Sequence, residues 1–311
     1  MKILLVNTAK NKCGVHQFGF QVYRCLKGNP NYQIIHGTYD NPRNFLESVV
    51  HHMPTHILVN WHEGVSTAWW LTNEFVAYLR EQAQVKFLLM PHDEIVRYDR
   101  NLIDHIFWLD PTKQLEGKDS ILGRPIIPIE RINSNPNIGL NKKLTVGYSG
   151  FLFSHKRVEK IKEIVGDRYC HFRFHFAPSD YGKEPEYEKY IRDLFKGNEN
   201  QTSEFITDFL TCDQVTEFLA GNNINIFPYE DTKIINRGIS SIVDNALSAN
   251  RPFMVSNSIM FRHLKDIDDK INYNKISFDE CLSNGVSHLQ KYRELWSPEN
   301  VQKVIMDAIS A

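Results

Sequence analysis

Short apolar runs alternate with amphipathic segments along the first half of the chain. Ile3 to Val6, Gln33 to His36, His56 to Asn60, Lys86 to Met90 and His105 to Leu109 read as buried parallel strands. Between them, segments 17–27, 42–52 and 67–83 have helical spacing. Phe18, Val22 and Leu26 fall on one face of the first, and Trp70, Phe75 and Leu79 more loosely on one face of the third. A run at Pro125 to Ile129 is expected to complete this first sheet. Strand–helix alternation of this kind predicts a parallel sheet with helices on both faces.

Residues 132–143, INSNPNIGLNKK, have the Asn, Gly, Lys and Pro content of a linker. The pattern then restarts. Strands are expected at Leu144 to Ser149, Cys170 to Ala177, Glu204 to Thr207 and Ile224 to Pro228, with helices at Val158 to Val165, 186–196 and Cys212 to Ala220. Gly238, Ser240 and Ser241 mark the start of a further helix, and the apolar run Pro252 to Val255 follows it. Ser297-Pro298-Glu299 opens a last helix over 298–309, with Ser as N-cap and Pro in the first turn. The expected fold is α/β, two tandem Rossmann-like domains facing each other across a cleft. The domains are 1–135 and 144–296, joined by a linker at 136–143, with a C-terminal helix at 297–311 that packs back on the first domain.

Composition narrows the class without changing that picture. The 311 residues suit two domains of about 150. Hydrophobic residues at 42% and charged residues at 23% are ordinary for a soluble globular protein. A net charge of −1 gives no general pull toward nucleic acid or anionic membrane. The five cysteines are scattered without CxxC spacing, which points to free thiols in a reducing compartment and to no zinc site. The apolar run in MKILLVNTAKNK is too short for a signal-peptide core, and no stretch approaches a bilayer span. A cytoplasmic protein is expected. Lys10, Lys12, Arg24 and Lys27 leave open a peripheral contact with anionic lipid, although four cations form only a weak patch.

In open parallel sheets ligands bind beyond the carboxyl ends of the strands, so the loops there carry the candidate chemistry. After the first strand, Gly14 permits a tight turn just before a helix, with His16 beside it; the segment is not GxGxxG, so a dinucleotide site is not expected. Trp61-His62-Glu63-Gly64 and Pro91-His92-Asp93-Glu94 end the third and fourth strands. A histidine beside acids there can donate to a sugar hydroxyl or act as acid or base. No pair among these residues has HExxH spacing, so no metal is expected. In the second half, the loop from Gly150 to Arg157 ends in Lys156-Arg157, which suits a pyrophosphate clamp. Gly238, Ser240 and Ser241 would present backbone N–H groups to a phosphate, and Asp244, about a turn into the helix, would accept hydrogen bonds from a ribose. The competing reading of that segment is an ordinary helix start whose serines only cap it.

The order of these motifs resembles the GT-B glycosyltransferases, and among them the retaining family-four type. KILLVN with CGVHQFG resembles the opening strand and acceptor-side loop. THILVNWHE and FLLMPHDE resemble the paired strands ending in histidine. LTVGYSGFLFSHKRVEKIKEIV resembles the first strand, phosphate loop and helix of the donor domain, and INIFPYEDTKIINRGISSIVDNALSANRPFMVSN the donor-binding strand, loop and helix. The resemblance implies that Lys156 contacts the donor diphosphate, Asp244 holds the ribose, His92 lies near the reacting sugar, Gly14 lies against donor and acceptor, and Ser240 and Ser241 lie near the phosphates. Two positions depart from the pattern. Phe151 stands where the family usually has arginine, leaving Arg157 or Arg237 as the second cation. Asn236 stands where the first acid of the Glu-x7-Glu pattern falls, with Glu230 or Asp231 as possible substitutes.

The implied function is metal-independent, retaining transfer of a sugar from a nucleoside-diphosphate sugar, needing no cofactor, by a hexosyltransferase-like enzyme. Residues 1–135 would engage the acceptor and 144–296 the donor. His92, Lys156 and Arg237 are the expected catalytic residues. Gly14, Gly150, Lys156, Arg157, Glu230, Gly238, Ser240, Ser241 and Asp244 are expected on the donor, and His16, His62, Glu63 and Asp93 on the acceptor side. The acceptor is undefined: glycan, lipid-linked glycan, small molecule, protein or nucleic acid, without stable membrane insertion. Two alternatives stay open, a GT-B-fold sugar-nucleotide epimerase and a non-catalytic nucleotide-sugar-binding protein with a degenerate active site.

Overall fold

The computed structural model of the chain describes residues 1–9, 13–63, 70–92, 96–128, 143–179, 182–197, 199–231 and 238–310. The chain divides into two compact units, one built from Met1–Ile127, Asn236–Gly238 and Trp296–Ala311, the other from Pro128–Ile235 and Ile239–Leu295. The first unit begins β1 (Lys2–Asn7), α1 (Gly14–Leu26), β2 (Gln33–Thr38), α2 (Pro42–His52) and β3 (His56–Trp61). It continues with α3 (Asn73–Ala83), β4 (Lys86–Pro91), β5 (His105–Trp108) and β6 (Ser120–Ile121). Its six strands lie in the order β2-β1-β3-β4-β5-β6, all parallel.

Successive strand side chains point to opposite faces, so a strand apolar at every position buries both. Ile3 and Leu5 join Leu58 and Leu88 against Phe18, Val22 and Leu26 of α1. Leu4 and Val6 join Ile57, Val59, Phe87 and Leu89 on the other face, against α2 and α3. Burying each of these side chains contributes about 1.5–3 kcal/mol. Asn41 starts α2 by accepting the Asn44 backbone N–H (2.9 Å), with Pro42 at its first turn. Thr72 caps α3, which therefore begins at Asn73; part of the expected 67–83 helix lies outside the described residues.

One expectation for this sheet is corrected. Residues Pro125 to Pro128 form no strand. Pro125 and Pro128 have no N–H to donate to a ladder, and the Ile126 N–H donates instead to the Trp296 carbonyl (3.0 Å). The sixth place belongs to β6, paired with β5.

The second unit contains β7 (Leu144–Gly150), α4 (Lys160–Val165), β8 (Cys170–Phe176), α5 (Pro185–Leu194), β9 (Gln201–Ile206) and α6 (Cys212–Ala220). It continues with β10 (Ile224–Phe227), α7 (Ile242–Ser248), β11 (Phe253–Val255), a 3-10 segment Ile259–Ile267, α8 (Asp268–Ile271) and α9 (Phe278–Leu295). Its parallel sheet has the order β11-β10-β7-β8-β9. α4 starts at Lys160 rather than Val158, because Arg157 adopts φ 49° in the left-handed region after a 3-10 turn at Ser154–Lys156. β9 starts at Gln201, which pairs with Cys170, three residues before the expected start. The eighteen-residue α9 has no counterpart in the sequence reading.

The chain closes with α10 (Pro298–Ser310), whose Val301, Ile305 and Ile309 join the Phe18 cluster of the first unit. Trp296, 2% exposed, seats beside Gly123 (φ 72°), where a Cβ would come within 2.1 Å of its Nε1. The expected linker lies outside the described residues except for Lys143. Among the described residues no helix is long and apolar enough to cross a membrane.

Both sheets are doubly wound. The strand order reverses between β1 and β3 in the first and between β7 and β10 in the second. Beyond the carboxyl ends of those strand pairs, two connections leave in opposite directions and open a crevice.

Candidate functional site

At the β1/β3 reversal the strands end in two buried asparagines, Asn7 and Asn60. Asn60 Nδ2 donates to Asn7 Oδ1 (2.8 Å) and to the Val15 carbonyl (2.7 Å) in the first turn of α1. Asn7 Oδ1 also accepts the Thr8 N–H (2.9 Å), while Asn7 Nδ2 reaches the His16 carbonyl (2.9 Å) and His36 Nε2 (3.2 Å). Asn60 Oδ1 faces His92 Nε2 at 2.7 Å. α1 leaves room for this network only because residue 19 is glycine: a Cβ there would come within 2.5 Å of Asn7 Oδ1 and 2.6 Å of Asn60 Nδ2.

Further candidate residues surround the network. His92 packs edge-on to Phe18 (4.9 Å) and lies 6.3 Å from His62. Arg124, 1% exposed, stacks its guanidinium over the Phe18 ring, 4.7 Å from its centre. Burial first, then the charge of Arg124 and the nearby His62, hold His92 well below the usual imidazole range. Burial and then His16 lower His36. His16 Nδ1 donates to the Thr8 carbonyl (2.7 Å). Glu63 pairs with Arg97. Gly14 is the first residue of α1, after Cys13, whose sulfur accepts the His16 N–H (3.4 Å). Asp93 lies outside the described residues. This end of the first unit is therefore a hydrogen-bonding surface of amides and imidazoles beside the Arg124 guanidinium.

The β7/β10 reversal is built differently. Lys156 is 7% exposed, with Nζ 3.5 Å from the centre of the Tyr229 ring and 4.0 Å from Met260 Sδ. A desolvated ammonium on an aromatic face gains about 2 kcal/mol. Tyr229 bonds to the hydroxyls of Ser240 and Tyr148, and its own hydroxyl is pushed up by burial. Gly150 (φ 151°) passes over both tyrosines, since a Cβ there would lie 3.2 Å from the Tyr148 hydroxyl and 3.3 Å from that of Tyr229. The loops after β7 and β10 are tied together: the Glu230 N–H donates to the His155 carbonyl (2.8 Å), and Arg157 pairs with Glu230 (2.6 Å). A cavity of about 320 Å³ opens beside that ion pair, bordered also by Lys160, Asn257 and Tyr273. Asp244, 8% exposed, is an acid in the first turn of α7.

The structure thus brings Gly150, Lys156, Tyr229 and Ser240 into one knot, and His92 with His62 and His16 into another. It differs from the sequence reading on three donor-side residues. The Ser240 N–H donates to the Met260 carbonyl (2.9 Å), so it does not point at a phosphate. Arg157 is paired with Glu159 and Glu230 and is not a bare cation. Asp231 accepts from Ser258 Oγ and the Ile259 N–H, capping the 3-10 segment. Ser241 stands at the α7 N-terminus without a side-chain cap, and Gly238 lies outside any element. Asn236 and Arg237 fall outside the described residues. Sequence reasoning passed over Asn7, Asn60, His36, Arg124 and Tyr229. The available signal was an asparagine at the end of each of two apolar runs, a polar group buried at strand ends. Among the described residues no cluster of three His, Cys, Asp or Glu side chains is placed to hold a metal ion.

Two doubly wound parallel units, each with its own reversal point, define a class that comparison with solved structures makes specific. Over its full length the chain is similar to HepE of Anabaena in complex with UDP and glucose, at 12% identity, covering 100% of this chain and 99% of that one, with a TM-score of 0.61. It is similar to AviGT4, a glycosyltransferase involved in avilamycin A biosynthesis, at 9% identity, 99% and 96% coverage and a TM-score of 0.63. It is similar to the lipopolysaccharide outer core galactosyltransferase WaaB in its apo form, at 11% identity, 99% coverage of each chain and a TM-score of 0.53. The chain has the two-domain, Rossmann-like GT-B fold. No protein-family model matches it. No curated protein matches its sequence.

Proposed function

We propose that the chain is a glycosyltransferase, moving a sugar from a nucleoside-diphosphate sugar to an acceptor hydroxyl. The observation that carries this reading is the full-length likeness of both units to GT-B glycosyltransferases, one of them holding UDP and glucose. The motif order adds the finer expectation of a retaining, metal-independent, family-four-like hexosyltransferase. In that reaction the anomeric carbon–oxygen bond of the donor breaks and the diphosphate departs. The acceptor oxygen forms the new bond, and its proton leaves with the diphosphate.

The second unit would hold the donor. Lys156, kept out of water against Tyr229, would neutralise the charge that develops on the departing diphosphate, and a fixed cation in a low-dielectric site acts strongly there. Asp244 would accept from the ribose hydroxyls. The first unit, with His92, His62 and His16 at its reversal point, would bind sugar or acceptor hydroxyls.

Calorimetry with UDP and GDP, followed by hydrolysis and transfer assays on their sugars, tests this. One nucleoside diphosphate is expected to bind wild type. Lys156→Met, which keeps the side-chain volume and removes the charge, is expected to lower transfer by about 10²–10³-fold while costing no more than the roughly 2 kcal/mol of the contact with Tyr229, so that the protein stays folded. Wild-type transfer in that variant would remove Lys156 from the mechanism, and no binding of any nucleoside diphosphate would remove the function. One observation favours a non-catalytic binding protein: Glu230 and Asp231 are both committed to partners within the unit. Binding without any turnover of donor would select that reading.

A further inference from the structure

We infer that Asn7 and Asn60 are positioning residues for His92, locking it as the neutral tautomer that carries its proton on Nε2 and presents Nδ1 as an acceptor for a sugar hydroxyl. The nature of the hydroxyl rests on the glycosyl-transfer reading above; the tautomer does not.

The hydrogen-bond roles in this network are set by backbone groups whose own roles cannot change. A carbonyl only accepts and an N–H only donates. The His16 carbonyl at 2.9 Å from one terminus of the Asn7 amide makes that terminus Nδ2, and the Thr8 N–H at 2.9 Å from the other makes it Oδ1. The Val15 carbonyl, 2.7 Å from the Asn60 amide, fixes that terminus as Nδ2, and its second hydrogen goes to Asn7 Oδ1 at 2.8 Å. Only Oδ1 of Asn60 then remains for the imidazole. It lies 2.7 Å from His92 Nε2, so that nitrogen must carry hydrogen. The opposite tautomer would set two lone pairs against each other. Turning the Asn60 amide to relieve them would press Oδ1 against both the Val15 carbonyl and Asn7 Oδ1. Gly19 leaves the space that this arrangement needs, since a Cβ there would meet Asn7 Oδ1 at 2.5 Å and Asn60 Nδ2 at 2.6 Å.

Protonation of both ring nitrogens would leave Nδ1 with no lone pair to offer. Burial of the ring opposes it first, then the Arg124 guanidinium and His62, the groups that face it. His92 remains partly accessible, and its bare Nδ1 is suited to a hydroxyl, which can donate, and unsuited to a second carbonyl or carboxylate, which cannot. The free imidazole already leans toward the Nε2–H form, so the distinguishing property is the rigidity of that state and its dependence on Asn60.

The test is histidine ¹⁵N NMR on the full-length protein, with His92 assigned by its loss in His92→Gln. Wild type is expected to show a single His92 state, protonated on Nε2, with that proton protected from solvent exchange compared with exposed His51. In Asn60→Leu the protection should disappear and the two tautomers should interconvert. A His92 protonated on Nδ1, or a wild-type Nε2 proton exchanging as freely as that of His51, would overturn the proposal. So would a folded Asn60→Leu protein that keeps the protected state. If Asn60→Leu does not fold, the wild-type spectrum decides alone. Calorimetry with UDP and GDP separates the two readings: a locked tautomer in a protein that binds neither would retain the positioning role of Asn7 and Asn60 and discard the glycosyl-transfer function.

Discussion

Each unit buries a pair of asparagine amides beneath a glycine, but at opposite ends of its sheet. In the first unit Asn7 and Asn60 sit at the carboxyl ends of β1 and β3, under Gly19. In the second, Asn222 and Asn225 sit at the start of β10, under Gly147 of β7, which pairs with Asn225 in register. The second network closes on itself. Asn222 Nδ2 donates to the Phe218 carbonyl (3.1 Å) and to Asn225 Oδ1 (2.8 Å), Asn225 Nδ2 donates to the Leu219 carbonyl (3.1 Å), and Arg173 satisfies Asn222 Oδ1 (3.1 Å). The first network ends in a titratable ring, His92, that remains partly accessible. The same device serves stability where every atom is consumed inside and prepares chemistry where one member is left facing outward. Position on the sheet decides which, because ligands meet parallel strands at their carboxyl ends.

Adding one methyl group to each glycine gives the largest expected effect on that contrast. In Gly147→Ala the Cβ would meet Asn222 Nδ2 at 1.9 Å, against a side chain with no exposure at all. In Gly19→Ala the nearest atom is at 2.5 Å. Overpacking of this kind costs about 1–3 kcal/mol, and Gly147→Ala should stand at the upper end in urea unfolding. Gly19→Ala should cost less stability and yet disturb the His92 imidazole signals, which Gly147→Ala should leave alone. Equal spectral disturbance by both variants would erase the distinction between the networks.

That contrast was only partly legible in the sequence. The strands were, because runs such as Ile57-Leu58-Val59 are apolar at every position and a parallel strand buried on both faces requires that. α9 was not, because its buried residues Cys281, Gly285, Leu289 and Tyr292 are spaced among many polar ones. Pro125 to Ile129 misled because apolar character was weighed without the missing proline donors. At the candidate sites, the loops after β3, β4, β7 and β10 follow from the position of strand ends alone. The pairings that join Asn60 to Val15 and to Asn7, and Arg157 to Glu230, span 45, 53 and 73 residues of chain, and local spacing carries no trace of them.

Acid should separate the units next. His36, His56, His92 and His105 of the first unit are all lowered from the ordinary value of 6.5, with burial as the largest cause in each, whereas His175 is the lowered histidine among the described residues of the second. A histidine lowered in the folded state binds its proton more readily when unfolded, so stability is full above 6.5 and declines as pH falls from there toward the folded value. Hydrogen exchange, corrected for intrinsic rates and compared at about pH 7.5 and 5.5, should show β1, β3 and β4 losing more protection than β7, β8 and β10. Uniform loss across both sheets would mean that burial of these imidazoles does not govern the acid response.

The smallest effect concerns Arg157, and it tests whether the cations of the second unit are equivalent. Arg157 and Lys156 are neighbours in sequence, but the left-handed turn at Arg157 sends them to different surroundings. Lys156 is buried on Tyr229, whereas the Arg157 side chain is 36% exposed and already bonded to Glu159 and Glu230, each at 2.6 Å. A partly exposed pair of this kind is worth about 0–1 kcal/mol. Arg157→Ala should therefore lower stability by less than about 1 kcal/mol and leave UDP affinity within a few-fold of wild type. If Arg157 is instead the second diphosphate cation, it must leave Glu230 when donor binds, and its removal would weaken UDP by roughly tenfold or more, the scale of a charge-assisted hydrogen bond. Calorimetry of Arg157→Ala beside Glu230→Gln distinguishes the two. Releasing Arg157 from its partner would tighten UDP in Glu230→Gln only if that guanidinium binds the diphosphate, whereas an ion pair that merely ties the two loops together predicts no gain.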